Sequence, residues 1–83
     1  MLEKLKKYEG ELFHTLTGLP FTYKFINDSS FVIIRDGKEI NRTVNISQLT
    51  KAIALQPQKP SDIANIIQAS AYVFALINDS RLN

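Results

Sequence analysis

The sequence predicts an α+β domain: an N-terminal helix, a three-stranded antiparallel meander, and two C-terminal helices packed on the sheet. Apolar residues recur at helical spacing near both ends of the chain, and β-branched and aromatic residues fill its middle. An Asp36-Gly37 pair between two of the middle runs is typical of a β-hairpin turn. With 83 residues, the chain has room for a single domain, 1–83.

The first predicted helix covers residues 2–17. Its apolar positions share one helical stripe and are Leu5, Tyr8, Leu12 and Leu16. Gly18 follows the last of them and Pro20 comes two residues later, a pattern that commonly ends a helix.

Three strands are predicted next, at 21–26, at 31–34 and in a short segment that ends near Val44. A two-residue Asp-Gly loop favours a type I′ turn, because both of its residues need a positive φ. This turn sets a pairing register in which Arg35 lies opposite Lys38 and Phe31 lies opposite Arg42.

Two helices are predicted in the C-terminal part of the chain. The first begins with Asn45 or Ser47 as its N-cap and ends before Pro57. The second begins at Ser61 and continues to about Asn78. Its apolar residues surround most of its circumference, which predicts that the helix is either buried on several sides within the domain or completes its burial against a second copy or a partner.

Few residues in the sequence are suited to catalysis or metal binding. Cysteine is absent and histidine occurs once, as His14, which predicts a protein that is not an enzyme and needs no cofactor or metal. The weaker alternative is a Mg²⁺-dependent nuclease, since Asp28 followed by Asp36-x-Lys38 resembles an acid–acid-x-Lys pattern.

A basic hairpin tip is the main indication of function. Two like charges directly opposite each other, as predicted for the tip, disfavour folding and therefore suggest an anionic partner, DNA or RNA. We predict that four basic side chains contact nucleic acid: Lys24, Arg35, Lys38 and Arg42. Tyr23 is expected to stack on a nucleobase if its ring is exposed. Alternatively, such charges serve only to keep an edge strand from aggregating, and the net charge of +2 is small.

The last predicted helix suggests a second function. Tyr72 and Leu76 fall on its polar side, so they are candidates to contact a second copy of the chain or another protein. The N-terminus is rich in charge and no apolar run approaches the length of a membrane span, which predicts a cytoplasmic protein without a membrane partner.

Three segments resemble small proteins of Gram-positive bacteria and their mobile elements. They are residues 16–23 (LTGLPFTY), 42–47 (RTVNIS) and 71–82 (AYVFALINDSRL). The resemblance covers most of the chain from residue 12 onward. It implies a DNA-related accessory role and supplies no site residues.

Overall fold

The computed structural model describes residues 2–83, with the exception of the Asn41 side chain, and confirms the α+β class. In chain order the elements are α1 (Leu2–Lys7), β1 (Phe13–His14), β2 (Pro20–Asn27), β3 (Ser30–Arg35), β4 (Lys38–Asn45), α2 (Ile46–Ala54), a 3₁₀ helix (Pro60–Ile63) and α3 (Ser70–Ile77). The strands form an antiparallel sheet in the order β1-β2-β3-β4. No helix within 2–83 is long and apolar enough to cross a membrane.

The first helix is much shorter than predicted, because α1 ends at Lys7 instead of residue 17. Gly10 then adopts a φ of +88°, and Phe13 pairs with Phe21 as part of an added edge strand. In this position the Phe13 ring is buried against other aromatic rings. Burial of the phenylalanine therefore overrides the helical leucine pattern, which leaves Leu12 and Leu16 exposed.

The hairpin between β3 and β4 forms as predicted near its turn. Asp36 and Gly37 both have positive φ values, 55° and 75°, and Arg35 pairs with Lys38. Farther from the turn the prediction is wrong, since Phe31 pairs with Val44 instead of Arg42. An irregularity between Val32 and Ile34 shifts the register and places Phe31 and Val44, both fully buried, opposite each other.

The helix α2 begins directly after Asn45, one of the two predicted N-caps, and ends three residues before Pro57. The Asn45 side chain does not cap the helix; its Oδ1 accepts a hydrogen bond of 2.7 Å from the hydroxyl of Ser30. These two residues face each other across the β3–β4 pair, so the bond joins the start of α2 to the sheet.

The predicted last helix is broken into two pieces. The chain forms a 3₁₀ helix at Pro60–Ile63, and α3 begins only at Ser70. Between them Ala69 has a φ of 58° and a ψ of 41°, a left-handed conformation that interrupts an α-helix. Ile63 and Ile67 are both buried, so the intervening segment follows the core instead of a regular helix.

The core lies between one face of the sheet and the helices. Its buried members from the sheet include Phe21, Tyr23, Phe31 and Ile33, and those from the helices include Leu5, Leu49, Ile63, Val73 and Leu76. The Tyr23 hydroxyl donates a hydrogen bond to the carbonyl oxygen of Leu5, which fixes α1 on this inner face. The opposite, outer face includes Lys24, Val32 and Thr43, which are cross-strand neighbours.

Arg81 joins the end of the chain to the edge of the sheet. Its guanidinium lies 4.0 Å from the centroid of the Phe13 ring, and it donates 2.9 Å hydrogen bonds to Asp79 Oδ2 and to the Leu12 carbonyl. The neighbouring Leu82 is fully buried. These contacts hold β1 in place, although this strand has only two residues.

Candidate functional site

A polar cleft of about 490 Å³ lies where the end of β4, the first turn of α2 and the segment before α3 meet. Its lining residues are Arg42, Gln48 and the run 64–70. The volume falls within the range of about 300–1,000 Å³ that is usual for small-molecule sites. The cleft is therefore large enough for a single nucleotide-sized group.

The lining of the cleft contains donors and acceptors but no carboxylate. The polar side chains are Arg42, Gln48, Asn65, Gln68 and Ser70, and the remaining lining residues are alanines and isoleucines. Within 2–83, none of these five side chains forms a hydrogen bond to another described residue. One cationic group and three amides are thus available to a ligand.

Local backbone features create this cleft. The register shift in the β3–β4 pair falls in the stretch of β4 that contains Arg42, between the pairing of Glu39 with Ile34 and that of Thr43 with Val32. On the other side of the cleft, Ala69 adopts a left-handed conformation that turns the chain before α3. Ile63 and Ile67 are buried and fix the segment 64–70 to the core. Gln48 reaches the cleft from the first turn of α2.

Two of the predicted basic residues lie together at the hairpin tip. Arg35 and Lys38 are exposed and directly opposite each other. Arg35 Nη1 donates a 2.8 Å hydrogen bond to the Tyr72 hydroxyl, and its Nε lies 4.0 Å from Asp36 Oδ2. The bond to α3 places this pair on the helix-bearing side of the sheet, the side on which Arg42 lines the cleft.

Lys24 is separated from the other three predicted basic residues. It lies directly opposite Val32, and Val32 lies opposite Thr43, so all three belong to the outer face. The adjacent Tyr23 points into the core instead. The structure therefore groups Arg35, Lys38 and Arg42 on one side of the sheet and places Lys24 on the other.

Tyr23 cannot stack on a nucleobase, because its side chain is fully buried. Burial raises the pKa of its hydroxyl, and the nearby Glu9 carboxylate raises it further. The hydroxyl is a donor to Leu5, so the residue belongs to the core.

The residues of the nuclease alternative are far apart. Asp28 and Asp36 flank opposite ends of β3, whose six residues span about 20 Å at roughly 3.3 Å per residue. Asp28 Oδ1 also lies 3.3 Å from Lys6 Nζ. Among residues 2–83 no group of three or more His, Cys, Asp and Glu side chains is placed to hold a metal ion, and His14 lies exposed on β1.

The two predicted partner-binding residues have different environments. Leu76 is fully buried, which contradicts its proposed contact with a partner and agrees with the alternative that the domain itself buries this side of the helix. Because the helix is broken at Ala69, α3 is oriented with Val73, Phe74 and Leu76 toward the core. Tyr72 is half-buried, with its ring edge against Phe21 at a centroid distance of 5.1 Å.

The sequence prediction missed three exposed leucines in the segment 12–20, which we call the leucine turn. Leu12, Leu16 and Leu19 are 57%, 72% and 45% exposed. Tyr72 adjoins this turn across a groove of about 210 Å³. One sequence signal could have identified this segment, because residues 12–20 contain no Lys, Arg, Asp or Glu. The prediction instead assigned Leu12 and Leu16 to the apolar stripe of the first helix.

No protein-family model, no curated protein and no solved structure matches this chain. The resemblance to small Gram-positive proteins therefore stays a prediction.

Proposed function

We propose that this chain is a non-enzymatic protein that binds single-stranded nucleic acid, DNA or RNA, with one nucleotide held in the Arg42 cleft. The observation that carries this proposal is the lining of the cleft, in which Arg42 stands among uncharged polar groups and no carboxylate. An anionic ligand that also carries hydrogen-bonding edges fits such a lining, and a nucleotide is a ligand of this kind.

The amide side chains in the cleft support recognition of a base. Asparagine and glutamine present a donor and an acceptor together, which matches the edges of nucleobases. A concave site can receive only a base that is not stacked inside a duplex, which favours single strands. In this arrangement Arg42 contacts phosphate or a base edge, while Gln48, Asn65 and Gln68 contact the base.

The hairpin tip supports contacts to the flanking backbone. Lys38 precedes Arg42 by four residues on β4, and the irregularity of the β3–β4 register in this stretch brings the two closer than a regular strand would. Arg35 lies opposite Lys38 and adds a second cation. A strand that follows this edge of the sheet would therefore meet three positive charges, and its phosphates would gain from each.

The proposed role is binding rather than cleavage. The acidic residues of the nuclease alternative lie at opposite ends of β3, and Asp28 faces Lys6. Asp36 belongs to the hairpin turn itself. This separation supports a protein that holds nucleic acid without hydrolysing it.

Replacement of Arg42 by glutamine tests the proposal. We expect Arg42→Gln to weaken the binding of a fluorescent single-stranded oligonucleotide by about ten-fold or more at low salt, since a specific arginine contact is worth roughly 1–3 kcal/mol. Fluorescence anisotropy titrations at several salt concentrations measure this loss. Circular dichroism of the variant checks that the exposed substitution leaves the fold unchanged.

Lys24→Gln is the matched control, because it removes the same charge from an exposed residue on the outer face. We expect its affinity to stay within about two-fold of the original protein, a change set by long-range charge alone. Equal losses in the two variants would show that binding depends on net charge and not on the cleft. The charges on β4 would then serve only to protect a sheet edge.

A further inference from the structure

We draw no further inference here: the strongest candidate, the pocket of about 330 Å³ beside the β3–β4 turn that is lined by Leu12, Thr22 and Ile34, is mostly apolar, and nothing in the structure shows what covers it.

Discussion

Replacing Leu76 by alanine is expected to lower the free energy of unfolding by about 2–5 kcal/mol, the usual cost of truncating a buried leucine. Leu76 is fully buried in the core, where it lies on α3 beside Val73 and Phe74. Its removal leaves a cavity that the surrounding β-sheet and helices can only partly fill. Since small domains have a total stability of about 5–15 kcal/mol, this single change is expected to remove a large share of it.

Leu55→Ala is the control for this prediction, because Leu55 has the same side chain but is 57% exposed. Its expected effect is within about 0.5 kcal/mol, as for most surface substitutions. Urea denaturation followed by circular dichroism measures both variants. If Leu76→Ala is neutral, α3 presents Leu76 to solvent and the orientation described above is wrong.

Replacing Arg81 by glutamine has the second-largest expected effect, a loss of about 1–3 kcal/mol in stability. The substitution removes the guanidinium from the Phe13 ring, from Asp79 and from the Leu12 carbonyl. Because Phe13 anchors the two-residue strand β1, this edge of the sheet is expected to open first, and hydrogen exchange of its amides measures this opening. Exchange as slow as in the original protein would contradict a role for Arg81 in holding β1.

The stabilising ion pair also has an expected pH dependence. Hydrogen bonding from Arg81 holds the pKa of Asp79 below its usual value. A carboxylate with a lowered folded-state pKa stabilises the protein above its unfolded pKa of about 3.9, and this stability is lost as the pH falls through the folded-state pKa. The original protein is therefore expected to be more stable than Asp79→Asn at neutral pH, and this difference is expected to shrink below about pH 4. If the difference in unfolding free energy does not change with pH, the Asp79–Arg81 ion pair is not its source.

The sequence predicted correctly the β3–β4 turn and the pairing next to it, which depend on residues that are neighbours in the chain. The Asp36-Gly37 turn and the pairing of Arg35 with Lys38 depend on residues close in sequence. The helix α2 starts after Asn45, one of the two predicted positions, although the Asn45 side chain bonds to Ser30 instead of capping the helix. The leucine spacing over 2–17 was misleading, because it competes with the burial of Phe13 between aromatic rings that come from distant strands. No local pattern contains that contact.

The candidate site could be predicted only in part. The charge pattern identified Arg42, but the cleft arises from a register shift in the β3–β4 pair and from a left-handed alanine, Ala69. Neither feature has a strong sequence signature, since bulges follow from packing and alanine seldom adopts a positive φ. The register prediction placed Arg42 opposite Phe31, so it could not bring Arg42 together with Gln48 and the 64–70 segment.

The salt dependence of oligonucleotide binding tests the central claim most directly. If Arg35, Lys38 and Arg42 each neutralise one phosphate, the logarithm of the association constant is expected to fall with the logarithm of salt concentration with a slope of about −2, at roughly 0.7 per contact for single strands. The slope is expected to become shallower by about 0.7 in Arg42→Gln and to stay unchanged in Lys24→Gln. Absence of binding at low salt, or binding that does not respond to salt, would contradict a nucleic-acid function for this surface.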